Sequence, residues 1–129
     1  MSTCESVCIG VDVDERATFC TETTPIARKE HQCCECAGTI HKGERYLKSS
    51  GVWDGEFNTY RQCWPCQEIQ RTFSCGEGWY YGGLWEAWAD ADGFRYLTVR
   101  DKCFQKLSLP TRQFLIERWW KWKEQQKTN

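Results

Sequence analysis

The sequence predicts a small α+β fold organised around a metal site, and three observations support that prediction. Two Cys-x-x-Cys pairs, Cys33/Cys36 and Cys63/Cys66, stand 26 residues apart and supply four thiol side chains. An Asp-Gly pair lies between them and is typical of a β-hairpin turn. Residues 109–127 contain no glycine, and no proline after their second position, as expected for a long helix.

The composition is poor in aliphatic residues and rich in aromatic ones. The 129-residue chain contains eight Trp, five Tyr and six Phe. A single domain of this size buries only about two-thirds of its unfolded surface. We therefore expect a core of large rings that is supplemented by metal, since structural zinc contributes roughly 10–16 kcal/mol of apparent folding free energy.

The formal net charge is −1, so the chain as a whole offers no electrostatic attraction for nucleic acid. The charge is unevenly distributed, because residues 100–129 carry eight basic and three acidic side chains, which is a net charge of +5. The C-terminal segment is therefore the basic part of the chain.

The ten cysteines would suit a disulfide-bonded secreted domain, but the N-terminal sequence indicates otherwise. Residues 1–16 (MSTCESVCIGVDVDER) are acidic and lack the apolar stretch of a secretion signal. No stretch approaches the roughly 18 apolar residues of a membrane span. We expect a cytoplasmic protein without membrane association, in which the central thiols bind metal rather than form disulfides.

Changes in composition divide the chain into three parts. Residues 1–25 are predicted to be a loosely structured lead-in, in which alternating apolar residues over 7–13 allow a short edge strand. Residues 26–72 form the predicted metal module, and residues 73–129 form an aromatic-rich C-terminal region.

Local signals predict the order of elements in the metal module. Cys33 to Cys36, followed by Gly38, predicts a zinc knuckle whose backbone N–H groups point at sulfur. Good helix formers follow Cys66, and Pro65 suits the first turn of that helix. The positive end of the helix would then face the thiolates.

A hairpin is predicted between the two cysteine pairs. Residues 46–49 and 59–62 are candidate strands, and the Asp-Gly turn lies between them. The module therefore consists, in chain order, of a knuckle, a β-hairpin and a helix that carries the last cysteine.

Residues 28–71 (RKEHQCCECAGTIHKGERYLKSSGVWDGEFNTYRQCWPCQEIQR) resemble the treble-clef zinc fingers, a group that includes LIM-type and PARP-type fingers. They are closer still to small zinc-finger proteins of bacteriophages and prophages. The resemblance covers about a third of the chain. It implies a treble-clef zinc module with one structural Zn²⁺ on Cys33, Cys36, Cys63 and Cys66, and it implies no particular partner.

Three further side chains leave an alternative ligand set open. Cys34 lies between the first two proposed ligands, and His31 and His41 flank them. His31 with Cys34 or Cys36 would be another set, but Cys33 with Cys36 reproduces the spacing of the second pair. We expect Cys34 to be a small packed thiol and both histidines to lie outside the coordination sphere.

Five cysteines remain outside the two pairs and Cys34, namely Cys4, Cys8, Cys20, Cys75 and Cys103. They allow a second metal site, and the alternative is that they are scattered reduced thiols.

The acidic residues near the module are Glu30, Glu35, Glu44 and Glu68. We expect them to be solvated charges.

The motifs of zinc enzymes are missing from the sequence. A catalytic zinc keeps one coordination position open, whereas four cysteines close the shell. The deaminase signature needs His-x-Glu before Pro-Cys-x-x-Cys, and neither histidine has a glutamate two residues later. We therefore expect no enzymatic activity.

The C-terminal region begins with a glycine–aromatic loop at 76–83 and then contains three predicted elements. These are a helix over 84–91 (LWEAWADA), a strand over 94–99 (FRYLTV) and a terminal helix over 109–127. The fold class is thus α+β, with an aromatic-rich C-terminal helical extension on the metal module.

Three tryptophans are candidate partner-binding residues: Trp53 beside the hairpin turn, and Trp119 and Trp120 on the terminal helix. Adjacent helix positions diverge by about 100°, so the two helical tryptophans cannot both face a narrow core stripe. At least one is expected at a rim or interface, where exposed tryptophans are common hot spots.

These expectations combine into a non-catalytic, zinc-stabilised protein-binding module. The resemblance to phage and prophage proteins implies an accessory protein that binds or inhibits a host protein. The alternative is nucleic-acid binding through the basic C-terminal helix and the basic residues of the module, which are Arg28, Lys29, Lys42, Arg45 and Lys48.

Overall fold

The computed structural model describes residues 7, 9, 17–53, 55–74 and 81–127, with the backbone alone for 17–19. The strands are β1 (Ala17–Thr23), β2 (His31–Gln32), β3 (Thr39–Ile40), β4 (Tyr46–Trp53) and β5 (Glu56–Cys63). The helices are α1 (Trp64–Phe73), α2 (Leu84–Asp90), α3 (Gly93–Tyr96), α4 (Lys102–Lys106) and α5 (Leu109–Lys127). The predicted α+β class is confirmed.

The main sheet is antiparallel and has the strand order β1-β4-β5. Its β4–β5 hairpin pairs Tyr46 with Cys63 at one end and Trp53 with Glu56 at the other. The predicted hairpin is therefore confirmed, with longer strands than expected. Gly55 has a φ of +79°, which suits glycine in a tight turn, and Asp54 lies outside the described residues.

Strand β1 lies in the segment that was expected to be a loose lead-in. It pairs with β4 from Ala17 to Thr23, with an irregularity between Ala17 and Phe19. Val7 and Ile9 are buried, and Ile9 forms a parallel bridge with Ser74. The rest of the predicted edge strand over 7–13 lies outside the described residues.

Helix α1 begins directly after β5, with a proline in its first turn as predicted. Cys66, Ile69 and Phe73 are completely buried along one side of the helix. The positions follow the spacing i, i+3, i+7, so one face of α1 enters the core. The helix thereby carries Cys66 to the metal module and Phe73 to the aromatic region.

The helices predicted over 84–91 and 109–127 are confirmed as α2 and α5, whereas the predicted strand over 94–99 is wrong. Residues 93–96 form the short helix α3 instead. Asp92 has a left-handed φ of +53°, so the chain is not extended where the predicted strand would begin. The backbone of Gly93 then packs directly on the buried indole, since a Cβ there would lie 2.2 Å from the ring of Trp88. Helix α4 was not predicted.

Aromatic rings connect the module to the C-terminal region. The Trp88 side chain is 1% exposed, and its ring lies 5.3 Å from that of Phe73 and 5.5 Å from that of Phe94, centre to centre. Both contacts are edge-to-face, which aromatic pairs favour. One hydrophobic core therefore spans both parts. In the described part of the chain, no helix has both the length and the apolar character needed to cross a membrane.

Candidate metal centre

Four cysteine sulfur atoms meet at the junction of the knuckle, the hairpin and α1. The Sγ atoms of Cys33, Cys36, Cys63 and Cys66 all lie within 4.8 Å of one another. Cys63 ends β5, and Cys66 lies one turn into the following helix, so the hairpin and helix together bring the second pair to the first. The grouping predicted from the spacing is confirmed.

The first pair is positioned by a tight backbone turn. The Cys33 N–H donates to the Gly38 carbonyl at 2.9 Å, and the Ala37 N–H donates back to the Cys33 carbonyl at 3.0 Å. Ala37 takes a left-handed φ of +61°, which closes the turn. These two hydrogen bonds close the turn that carries both cysteines.

Backbone N–H groups point at the sulfur atoms from three sides. Cys33 Sγ accepts from the Glu35 N–H at 3.4 Å and from the Cys63 N–H at 3.3 Å. Cys36 Sγ accepts from the Gly38 N–H at 3.4 Å. Such donors stabilise thiolate charge and fix the direction of each ligand. The backbone is thus arranged for ionised sulfur.

The distances between the sulfur atoms fit a tetrahedral metal site. Zinc–sulfur bonds are about 2.3 Å long, so the edge of a regular tetrahedron of thiolates is about 3.8 Å. Cys36 Sγ and Cys63 Sγ are 3.8 Å apart, and all four cysteines are free rather than disulfide-bonded. Four soft sulfur donors in this geometry could hold a metal ion such as zinc and would leave it no open position.

The four sulfur atoms are close enough to shift one another's pKa values in opposite directions. Hydrogen bonding with Cys33 lowers the pKa of the Cys36 thiol. The neighbouring Cys33 sulfur is the main cause that raises the pKa of both the Cys63 and the Cys66 thiols, and burial adds to it. Four thiolates this close repel one another, so they cannot all ionise alone. A bound divalent cation removes that penalty, because a coordinating thiol is deprotonated outright.

The alternative ligands lie outside the cluster, as expected. Cys34 Sγ donates to Glu35 Oε2 at 3.8 Å and is not among the four grouped sulfur atoms. The His31 ring packs against Tyr46, with ring centres 5.4 Å apart. His41 Nδ1 lies 3.3 Å from a Glu30 carboxylate oxygen at the surface.

The prediction for the other cysteines needs a correction. Cys103 is disulfide-bonded, so it is neither a reduced thiol nor a ligand of a second metal. Cys20 is an exposed free thiol. Cys4, Cys8 and Cys75 lie outside the described residues.

Glu35 was expected to be a solvated charge, and this expectation is wrong. One carboxylate oxygen accepts hydrogen bonds from the backbone N–H groups of Gly82 at 2.9 Å and Leu84 at 3.0 Å. The other accepts from Gln62 Nε2 at 2.7 Å. Burial raises the pKa of this carboxyl group. Glu35 therefore joins the knuckle to the start of α2, and no local pattern could reveal partners 47 and 49 residues away.

Glu68 makes a second link that the sequence did not reveal. Its carboxylate accepts from the Ser108 N–H at 2.9 Å and from the Ser108 hydroxyl at 2.6 Å. Ser108 directly precedes α5, and its carbonyl accepts from the Arg112 N–H. Glu68 thus anchors the first turn of α5 to α1. Glu30 and Glu44 are exposed, as predicted.

The three predicted partner-binding tryptophans lie on two different surfaces. The half-buried Trp53 packs edge-to-face on Tyr60 and Tyr81, with ring centres 5.2 and 6.2 Å apart. Trp119 and Trp120 instead line a cavity of about 750 Å³ beside α5. Trp120 is 57% exposed and Trp119 is half-buried, so the expectation that at least one of them lies at a rim is confirmed. Their rings are in edge-to-face contact, with centres 4.9 Å apart.

We call this cavity the α5 groove. The wall opposite α5 consists mainly of apolar side chains, which are Phe94, Leu97, Val99 and Phe104. The α5 wall is formed by two aliphatic and three aromatic side chains, which are Leu115, Ile116, Trp119, Trp120 and Trp122. Polar and basic side chains complete the lining, namely Arg95, Thr98, Lys123 and Gln126.

Comparison with protein-family models, curated proteins and solved structures finds no match.

Proposed function

We propose that this protein is a zinc-stabilised, non-catalytic module that binds another protein. The observation that carries the proposal is the pairing of a closed four-sulfur cluster with an exposed aromatic groove elsewhere on the molecule. A four-sulfur shell leaves zinc no position for substrate or water. The recognition surface is then the α5 groove.

The order of elements supports a treble-clef description of the metal module. A knuckle supplies the first ligand pair, the β4–β5 hairpin follows, and α1 carries the last ligand. In this description one zinc ion is structural, and the hairpin and helix are scaffold. If the resemblance to phage and prophage fingers reflects common descent, the partner is a host protein.

The lining of the α5 groove favours a protein over a nucleic acid. Large apolar side chains dominate it, and the described lining contains two basic side chains, Arg95 and Lys123. Nucleic-acid sites combine aromatic stacking with many phosphate contacts and are strongly salt-dependent. A groove rich in tryptophan and aliphatic residues instead has the composition of a protein hot spot.

Affinity capture from cell extract with the immobilised zinc-loaded protein tests the proposal. We expect wild type to retain a specific protein after nuclease treatment and at high salt, and the Trp120→Ala variant to lose it. Trp53→Ala is the matched control and is expected to retain it, since Trp53 lies outside the groove lining. Capture of nuclease-sensitive material alone would favour the nucleic-acid alternative, and no capture would contradict the proposal.

A further inference from the structure

The α5 groove has an elongated, open shape. Its α5 wall uses two adjacent rows of the helix, positions 115, 119, 122 and 126 and positions 116, 120 and 123. Eleven residue steps separate the first from the last, which is about 16 Å of helix. Val99 and Trp120 are 61% and 57% exposed along this length. A site that takes up a small ligand encloses most of its surface, so an open channel of this length better fits a chain segment.

The walls of the groove are held in place before any partner binds. The Trp119 indole N–H donates to the Phe94 carbonyl at 3.2 Å, which ties α5 to the opposite wall. The Phe94 ring also lies 6.0 Å from that of Trp122. Phe104 and Leu115 are buried and form a fixed apolar base. A preorganised groove of this kind loses little conformational freedom on binding.

The charge at the groove is of one sign. Arg95 and Lys123 are both exposed, and the described lining contains no acidic side chain. Lys123 Nζ lies 5.9 Å from the centre of the Trp119 ring, so its positive charge is placed at the edge of the apolar surface. The acidic residues of α5, Glu117 and Glu124, are outside the lining. A partner that is complementary to this surface would be apolar, with negative charges beside its apolar side chains.

We propose that the α5 groove binds an acidic, amphipathic segment of the partner protein, with large apolar side chains in the channel and carboxylates toward Arg95 and Lys123. This inference rests on the proposed protein-binding function and specifies the chemistry of the partner. The length of the groove corresponds to about three turns of a partner helix.

Selection from a displayed library of random 16-residue peptides on the zinc-loaded full chain tests this inference. We expect the enriched peptides to carry net negative charge and at least two large apolar residues. An enriched peptide, synthesised and titrated by calorimetry, should bind Trp120→Ala about 30-fold more weakly, the size of a hot-spot loss. Lys123→Glu should weaken binding about fivefold or more, because attraction is replaced by repulsion.

Lys121→Glu is the matched control, since it changes the same charge on an exposed α5 residue outside the groove lining. It should change affinity less than twofold, and circular dichroism and zinc content should match wild type in all three variants. Enrichment of neutral or basic peptides would overturn the acidic-segment inference, and so would equal losses of peptide affinity in Lys121→Glu and Lys123→Glu. Neither result would contradict the proposal that the protein binds another protein. Binding of dodecanoate in the groove without any peptide enrichment would overturn it in favour of a small apolar anion. If no peptide is enriched, the acidic-segment inference is also overturned. The affinity capture described above then tests protein binding separately.

Discussion

Residues 31–66 are arranged around four sulfur atoms, whereas residues 84–127 pack around aromatic rings. The first region contains short strands, a hairpin and tight turns, and its four grouped cysteines could hold a metal ion. The second region is helical, and Trp85, Trp88 and Phe94 lie within 6.3 Å of one another, ring centre to ring centre. A bound metal ion would fix four positions strongly, while ring packing depends on the shapes of many side chains.

The comparison shows how a small chain supports an exposed groove. Two carboxylates bind the backbone at the starts of α2 and α5: Glu35 in residues 31–66, and Glu68 just after them on α1. Phe73 on α1 extends the link through its contact with Trp88. Residues 31–66 and α1 thus anchor the starts of α2 and α5, of which α5 lines the groove. Each region should therefore respond to different perturbations.

The largest effect is expected from removing a sulfur ligand. Cys66 is completely buried, and Cys66→Ser removes one of the four donors. A structural zinc ion supplies roughly 10–16 kcal/mol, more than the usual net stability of a domain, so residues 31–66 should lose their fold. Elemental analysis should find no bound zinc, and hydrogen exchange should show loss of protection in the hairpin.

Cys34→Ser is the control for this experiment, because the Cys34 sulfur is outside the cluster. It should retain one zinc ion per chain and a thermal midpoint close to wild type. Loss of zinc in Cys34→Ser would mean that the ligand set is wrong.

The second effect concerns ring packing. Gly93→Ala places a methyl group 2.2 Å from a Trp88 ring atom, and neither the backbone nor the buried indole can move freely. We expect a loss of about 3 kcal/mol, the upper end for overpacking, with zinc content unchanged. Thermal unfolding followed by tryptophan fluorescence measures it. Ala89→Ser, at an exposed position of α2, should shift stability by less than about 0.5 kcal/mol.

A smaller effect is expected from cutting the link at Glu35. Glu35→Ala leaves the N–H groups of Gly82 and Leu84 without their carboxylate acceptor. The cost should be about 2 kcal/mol, since bonds to a charged acceptor are stronger than average. Hydrogen exchange should accelerate at residues 82–88 while zinc stays bound. Glu86→Ala, at an exposed position, is the control, and equal acceleration in both variants would remove the proposed link.

The smallest effect is expected at Glu68. Glu68→Ala removes the acceptor of the Ser108 N–H and hydroxyl groups, which weakens the start of α5. Losses at helix starts are typically about 1 kcal/mol. Exchange should accelerate in the first turn of α5 alone, and peptide binding in the groove should change little. A large loss of peptide affinity would contradict this expectation. It would mean that the position of the whole of α5 depends on the partly exposed contact between Glu68 and Ser108.

The sequence predicted the metal-centre region better than the aromatic region, for a physical reason. Ligand positions are set by short, local spacings, so Cys33, Cys36, Cys63 and Cys66 could be grouped in advance. The hairpin and α1 follow from turn residues and from Pro65, which are also local signals. The bounds of α5 were also predicted locally, because residues 109–127 contain no glycine and no proline after the second position.

The incorrect predictions involve contacts between residues distant in sequence. Residues 94–99 have the composition of a strand, but residues 93–96 form α3, with Gly93 packed directly on the Trp88 ring. Glu35 looked like a surface charge because its acceptor role depends on backbone groups 47 and 49 residues away. Cys103 was expected to be a metal ligand or a reduced thiol, because disulfide pairing depends on the tertiary fold and not on local sequence.

X-ray absorption spectroscopy of the purified, reduced protein loaded with zinc tests the central claim most directly. The account predicts one zinc ion per chain with four sulfur neighbours at about 2.3 Å and no nitrogen or oxygen in the coordination sphere. Folded protein without zinc, or a coordination sphere that includes histidine nitrogen or water, would contradict it.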